Sequence, residues 1–351
     1  PVHLASGVTT DLSDKTFGVV RQPGRFITIE SDSIRSPQLA PRRDAGHDGF
    51  VSKDQSPAPS QSSQKATGGG MLDGLKVLDF SNIIAGPATG RTLAEHGADV
   101  IRIDPPAAPA GPFTTMWFGI DVNQGKRALV LDLKTEEGRA ALAPLIRNAD
   151  IVLHNFLDRS ARSIGIAHDQ LTAINPDIIS CQVSGWAGPD GGAYKDDPTF
   201  DPVVQSATGI TARYGSLEQP TLHGIASCVD YLTGFTAATG ILQALIAREA
   251  GRGGSHVRTS LAMAGQLVQF PHMVATENAG PGDEPSGQMA RGAGPDQHLY
   301  ELIDGWAYLG CRSGDIGKVA VAVDAQASTV ETLARRLREM SLADVQSCLA
   351  N

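Results

Sequence analysis

The chain has 351 residues, 41% apolar and 19% charged, the balance of a globular protein rather than of a disordered or fibrous one. Its formal net charge of -9 argues against a nucleic-acid partner, because phosphate binding needs a basic surface, but leaves room for a local basic pocket. The four cysteines, Cys181, Cys228, Cys311 and Cys348, form no Cys-x-x-Cys pair and have no His-rich spacing beside them, so reduced thiols and no metal site are expected.

Residues 1 to 49 carry short apolar patches, Phe17 to Val20 and Phe26 to Ile29, broken by Gly and Pro, which predict a few short strands without a core of their own. Residues 50 to 70 are rich in Ser, Gln, Pro and Gly and cannot offset their ordering entropy, so they are expected to be a flexible linker. From Leu72 the pattern changes to that of an α/β domain. Lys76 to Phe80 predicts a strand, Ser81 to Pro87 a loop, Ala88 to His96 a helix stopped by Gly97, and Val100 to Ile103 the next strand. That βαβ unit implies parallel strands. Ala128 to Leu133, Ile151 to His154 and Ile178 to Val183 predict further strands, with Thr135 capping a helix over Glu136 to Arg147.

After a Gly/Pro-rich stretch, Asp230 to Glu249 predicts a long helix ended by the Gly251 to Gly254 region. Val257 to Ser260 predicts a strand, Leu261 to Val274 a helix, and residues 276 to 297 a polar loop or domain crossing. Leu299 to Leu309 predicts a hairpin around Asp304-Gly305, and Val330 to Met340 an amphipathic helix, with another helix at the end. The domains expected are 1–49, the linker 50–70, a large domain 71–275 and part of a smaller one, 276–351. No apolar run approaches the roughly 18 residues of a membrane span, and no secretory signal precedes the folded region, so no membrane and a cytoplasmic location are expected. With Pro1 in place of Met, the chain is expected to be a piece of a longer protein or a processed product.

Four segments are candidates for chemistry. The loop Ser81 to Gly90 leaves a strand and opens a helix, where open parallel sheets bind ligands and helix N-termini suit phosphates. It lacks G-x-G-x-x-G, so a dinucleotide fingerprint is not supported; a tight strand-to-helix turn is the alternative. Asn123 to Arg127, with Lys134 beyond, offers paired basic groups for an anion, or is simply a solvated loop. Asn155-Phe156 offers an amide and a ring for a base, or an ordinary strand end. Asp201, before Pro202 and after a Gly-rich loop, reads as a helix N-cap when taken alone.

These segments, in this order, resemble class III CoA-transferases, the CaiB/BaiF group. The resemblance rests on Leu72 to Phe80 followed by Ala85-Gly86-Pro87, on Leu93 to Pro106, on Lys126-Arg127 through Leu131-Asp132-Leu133-Lys134, and on Ala149 to Phe156. Asn175-Pro176, Ser184-Gly185-Trp186, Asp201-Pro202-Val203-Val204-Gln205, Thr233-Gly234, Arg248 to Gly253 and Ser260-Leu261 complete the series, over residues 72 to about 310. The resemblance implies a Rossmann-like parallel-sheet CoA domain with a second, smaller α/β domain, in an intertwined homodimer or tandem-fused pseudo-dimer. It implies coenzyme A as substrate and product, with no tightly bound cofactor, and acyl-CoA and carboxylic acids as reactants. Asp201 is then the nucleophile, passing through an acyl anhydride and an aspartyl-CoA thioester. Ile83, Ile84, Ala85, Lys134, Asn155 and Phe156 match family positions near CoA. The sequence departs from the family in placing Ser163 where an Arg contact to CoA is expected, with Arg162 or Arg159 as substitutes. It also has Ala107 onward in place of a Gly-Asp pair, and no tetraglycine segment, although Arg291 to Gly294 is a related stretch.

Two other functions remain open. An α-methylacyl-CoA racemase shares the fold, but Phe200 stands before Asp201 where racemases carry His. A catalytically silent CoA-binding half of a fused assembly is the second. Finally, Gly18-Val19-Val20, Pro23 to Phe26, Ser36-Pro37, Ala40-Pro41 and Gly46-His47-Asp48 run in the order of a family tail. Residues 1–49 are therefore expected to be the tail of a preceding transferase unit, docking on the domain after the linker.

Overall fold

Val77-Leu78, Ile151-Val152-Leu153 and Ile179 are each buried on both faces of their strands, as strands inside a parallel sheet must be. The computed structural model of the protein describes residues 9–31, 70–107, 115–186, 194–223, 227–277 and 287–350, with only the backbone of residues 115–117. Two compact units emerge, residues 1–210 with 222–282 and residues 211–221 with 283–351.

In the larger unit the chain opens with three strands, β1 (Thr9–Asp14), β2 (Gly18–Pro23) and β3 (Thr28–Glu30). The first two form an antiparallel hairpin, turned by Asp14, whose carboxylate accepts the Thr16 and Phe17 N–H groups, and by Gly18 in the left-handed region. Next come β4 (Lys76–Asp79), α1 (Ala85–Glu95), β5 (Asp99–Asp104), α2 (Thr115–Val122), β6 (Arg127–Val130) and α3 (Glu136–Arg147). They are followed by β7 (Ile151–His154), α4 (Asp158–Ser163), α5 (His168–Ile174), β8 (Ile179–Ser184) and α6 (Asp201–Thr208). The long α7 (Cys228–Ala247) leads to β9 (Ser255–Ser260), α8 (Leu261–Val268), α9 (Phe270–Met273) and β10 (Ala275–Thr276), the last pairing with β2.

One seven-stranded sheet runs in the order β3-β9-β8-β7-β4-β5-β6, parallel throughout except for β3, which lies antiparallel along the β9 edge. Residues 28–30, the second of the expected N-terminal strands, are thus built into the sheet of the large unit. Thr259 Oγ1 donates to the Phe26 carbonyl at 2.8 Å across 233 residues of sequence. The expected linker falls outside the described residues, Gly70 excepted.

Most element boundaries follow local chemistry. Thr135 caps α3 through its hydroxyl, which accepts the Gly138 N–H at 3.0 Å. Gly97 ends α1 in the left-handed region that glycine adopts without steric cost. α1 starts at Ala85, three residues earlier than expected, because Pro87 is tolerated in a first turn, where its missing N–H has no partner to lose. The helix expected over 261–274 breaks at Gln269 into α8 and α9, just before Pro271.

α7 lies across the sheet and against α1, where Gly234 permits the approach. A Cβ there would stand 2.8 Å from both the Ala85 carbonyl oxygen and the Ala88 Cβ. The run Cys228–Arg252 holds an 18-residue window of mean hydropathy 1.2, long and apolar enough by composition to cross a membrane, contrary to the expectation from sequence. In the fold 56% of that window is buried, with α1, α8 and β9 among its neighbours, so it serves this unit as a core helix.

The smaller unit contains a hairpin of β12 (Gln297–Leu302) and β13 (Gly305–Gly310), with β11 (Gly292–Gly294) beside it. After the hairpin this unit continues with the helices α10 (Ile316–Ala322), α11 (Val330–Leu337) and α12 (Leu342–Leu349). Tyr300, Leu302, Leu333, Leu337 and Met340 form its core. The stretch from Arg291 to Gly294 makes an edge strand with a bulge, Arg291 stacking 4.6 Å over Trp306.

Candidate active site

From β4 the chain steps outward through β5 to β6, then crosses back to set β7 on the other side of β4. The carboxyl ends of β4 and β7 therefore flank the point where strand order reverses, which is where open α/β sheets bind ligands. Two of the candidate segments leave the sheet there, Ser81 to Ala85 from β4 and Asn155-Phe156 from β7. They are locked together by a reciprocal amide pair: Asn82 N–H donates to Asn155 Oδ1 at 3.1 Å, and Asn155 Nδ2 donates to the Asn82 carbonyl at 2.8 Å.

Each loop has its own anchor. Asp79, wholly buried at the end of β4, accepts from the Ser81 N–H at 2.9 Å and from the Ser81 hydroxyl. Its other oxygen takes the Lys126 ammonium at 2.7 Å. Lys126 also donates to the Pro87 carbonyl at 2.8 Å and to Asn123 Oδ1. The expected anion-binding or solvated role of the Asn123 to Arg127 segment is thus corrected: Lys126 is a buried clamp between β4 and α1, and Arg127 pairs with Asp99 on β5. The second anchor is His154, fully buried, whose Nδ1 accepts the Phe156 N–H at 3.3 Å. Burial pushes His154 down to about 4, so it serves as a neutral acceptor. Gln182 on β8 then holds the Phe156 carbonyl and the Asp158 carboxylate.

Ile83 sits between these anchors at φ +68, a conformation that a β-branched residue adopts only at a cost on the order of 1–3 kcal/mol. The loop is held there by its surroundings, and the residue faces a cavity of about 280 Å³ that Asn82, Ala85, Asn155, Phe156 and Asp230 also line. A second cavity of about 590 Å³ shares Asn82 and Phe156 with it and is lined further out by Asp132, Lys134 and Ser163. Five of the six residues matched to CoA positions thus border two adjoining cavities. Ile84 does not: it is buried in a small cluster with Ala88 and Val122. Ser163 lines the outer cavity, but Arg162 is engaged with Asp169 through two 2.9 Å contacts and does not reach into it.

Asp201 is buried at the first turn of α6, where Phe200 rather than Asp201 is the N-cap, a correction to the reading of Asp201 taken alone. Its carboxylate caps a different helix. Oδ2 accepts the N–H groups of Val229 at 3.0 Å and Asp230 at 3.1 Å, in the first turn of α7. Ser227, the N-cap of α7, makes no side-chain cap of its own, so Asp201 satisfies those donors from outside. Oδ1 accepts from Gln205 Nε2, one turn further along α6. Gln205 is itself fixed by the His223 backbone, donating to its carbonyl at 3.1 Å and accepting its N–H at 2.9 Å. Phe200 and Asp230, the residues on either side of this carboxylate, line the inner cavity.

Sequence reasoning missed Asp230 as a site residue and saw it only as the start of a helix. Its carboxyl is pushed up to about 7, first by burial and then by the negative charge of Asp201. Nothing in the local sequence separates it from any acidic residue in a helical first turn.

A family model described as CoA-transferase family III matches residues 72–344. The chain is similar to the CoA-transferase/lyase DddD of Marinomonas sp., 31% identical over 323 residues that cover 90% of this chain and 39% of that protein. It is also similar to the succinate–glutarate CoA-transferase of Agrobacterium fabrum, 33% identical over 205 residues, 54% of this chain and 50% of that one. The chain therefore spans half or less of the length of these curated relatives. Among solved structures, a CaiB/BaiF family protein from Brucella suis matches with a TM-score of 0.64 and 25% identity, covering 81% of this chain and 82% of the other.

Proposed function

The chain belongs to CoA-transferase family III, and from that premise we propose that it transfers CoA between an acyl-CoA and a carboxylate, with Asp201 carrying the acyl group. The observation that supports this reading best is the asymmetric hold on the Asp201 carboxylate. Oδ2 is fixed by two backbone N–H donors, whereas Oδ1 meets a single side-chain amide. Oδ1 is the oxygen suited to attack a thioester carbonyl carbon, because it gives up one flexible partner rather than two rigid ones.

Attack by Oδ1 expels CoA thiolate and leaves a mixed anhydride on Asp201. Thiolate then adds to the Asp201 carbonyl carbon, which expels the original acid and leaves an aspartyl-CoA thioester. In that addition the negative charge develops on Oδ2, already 3.0 and 3.1 Å from the Val229 and Asp230 N–H groups, the distance at which an oxyanion hole works. The acceptor carboxylate runs the same two steps in reverse.

On this reading the inner cavity takes the thioester and acyl group, and the outer one the nucleotide end of CoA. Phe156 offers a ring to the adenine, and Lys134 offers an ammonium to a phosphate. The substrates named for two relatives, a succinyl-CoA:mesaconate and an acetyl-CoA:oxalate CoA-transferase, direct the choice of probes to succinyl-CoA and acetyl-CoA. Incubation with either in the presence of hydroxylamine, followed by peptide mass spectrometry, is expected to find a hydroxamate at Asp201 and none in Asp201→Asn. An unmodified Asp201, together with undiminished CoA exchange by Asp201→Asn, overturns the reading.

A further inference from the structure

Resting on that transferase reading, we propose that Asp230 is a second catalytic carboxyl, which carries a proton to and from the CoA sulfur while Asp201 carries the acyl group. Asp230 lies in the first turn of α7 and lines the inner cavity together with Ile83, Ala85 and Phe200. Its backbone N–H holds Asp201 Oδ2 at 3.1 Å, and Phe200, next to Asp201 in the chain, lines the same cavity, so the Asp201 carboxylate lies one hydrogen bond from a cavity-lining residue. Among the described residues no hydrogen-bond donor is given to the Asp230 carboxyl, whereas Asp201 receives three. Burial disfavours a charge on the Asp230 carboxyl, and the negative charge of Asp201, which reaches it, disfavours a second charge there further. Asp201, held by three donors, is the nucleophile. Asp230, pushed up to about 7, keeps its proton near neutrality. A pair whose environments separate in this way divides nucleophile from acid.

The other titratable groups around Asp230 leave this division intact. On its own helix, Cys228 is raised by burial and by Asp201, and Tyr231 is pushed up to about 12, so both are neutral at working pH. Across the cavity stand Asp158, Lys195, Asp196 and Asp197, the last three in an exposed segment.

The proton balances over the cycle. Asp201 Oδ1 bonds to the thioester carbon, the C–S bond breaks with its electron pair on sulfur, and the Asp230 O–H transfers its proton to that sulfur. When the sulfur adds to the Asp201 carbonyl, the Asp230 carboxylate takes the proton back, and the acid product leaves as a carboxylate. The second half repeats the exchange with the acceptor: sulfur leaves Asp201 with the proton and returns it on attacking the new acyl carbon. No proton is gained or lost overall.

The test is Asp230→Asn in the 351-residue chain, assayed by exchange of labelled succinate into succinyl-CoA between about pH 6 and 8, with hydroxylamine trapping in parallel. The parent is expected to lose rate as pH rises through about 7, where Asp230 gives up its proton. The variant is expected to be slower by about a hundredfold at pH 6 and to lack that fall, while still yielding the Asp201 hydroxamate. A variant with the parent's rate, or one that retains the same alkaline fall, overturns the proposal while leaving Asp201 in place as the nucleophile. Absence of the hydroxamate from the parent overturns the transferase reading and this proposal together. If Asp230→Asn does not fold by circular dichroism, the parent's own profile decides, since a flat profile across that range overturns the proposal.

Discussion

Replacing Lys126 by Met removes the ammonium from a salt bridge that has almost no solvent on either side, the two side chains being 1% and 0% exposed. Asp79 then keeps only the Ser81 N–H and hydroxyl, and the Pro87 carbonyl and Asn123 Oδ1 each lose a donor. Leaving one member of a buried pair unpartnered costs about 3–5 kcal/mol. Urea denaturation of parent and variant measures it directly, as a shift of midpoint at unchanged slope. The companion variant, Asp79→Asn combined with Lys126→Met, removes both charges while the introduced amide oxygen can still receive the Ser81 donors. It is expected to recover at least about 2 kcal/mol of that loss, giving a double-mutant cycle with strong coupling. A single variant that costs less than about 1 kcal/mol, or a double variant that costs the sum of the two singles, refutes the argument that this pair is a buried clamp.

Lower pH is expected to act through His154, which is held near 4 in the fold against about 6.5 when unfolded. Between those values the unfolded chain binds the extra proton, so stability is full above about 6.5 and falls by on the order of 3 kcal/mol as pH drops towards 4. His154→Asn, whose Oδ1 can stand in for Nδ1, should shed that share in urea melts at about pH 7 and 4.5, and an unaltered pH dependence would sink the assignment. His256 is also well below its ordinary value through burial, and acts in the same direction. Gly234→Ala must push α1 from α7, at about 1–3 kcal/mol, and should lower the melting temperature together with CoA affinity, since α1 begins at the cavity-lining Ala85. A variant as stable as the parent contradicts the close approach. Lys134→Ala should weaken CoA binding by about 1–3 kcal/mol in calorimetry, with a loss below about 0.5 kcal/mol counting against a direct phosphate contact.

The sheet was legible where burial on both faces produces unbroken apolar runs, as at Val77-Leu78 and Ile151 to Leu153, and α3 where Thr135 offers a cap in the right place. The short helices α2, α4 and α5 were not, because six to eight residues are too few to establish a helical period. Of the site, the order of the motifs brought forward Asn155, Phe156, Ile83, Ala85 and Lys134, which the fold gathers around adjoining cavities. What local pattern does not encode is partnership across the chain. Lys126 looks like a loop lysine until Asp79 is set beneath it, and Asp201 looks like the cap of its own helix until α7 arrives to take its carboxylate. Asp230 becomes distinctive only once Asp201 is beside it.

The position of β3 has a consequence for the order in which the molecule is assembled. Residues 28–30 leave the ribosome long before β9 exists, and the bond that ties the adjoining Phe26 to β9 spans 233 residues. Until β9 is made, this short piece has no edge to join, and until β3 joins, β9 presents an open row of N–H and C=O groups to whatever strand comes near. Contacts of such long range come at a high entropic cost and close late, so the sheet is completed by a segment translated long before its partner strand. A nascent or partly refolded chain therefore passes through a state with an uncovered strand, where a second chain can supply the missing edge in place of its own. Yield on refolding should consequently fall with protein concentration more steeply than the packing of the finished sheet would suggest.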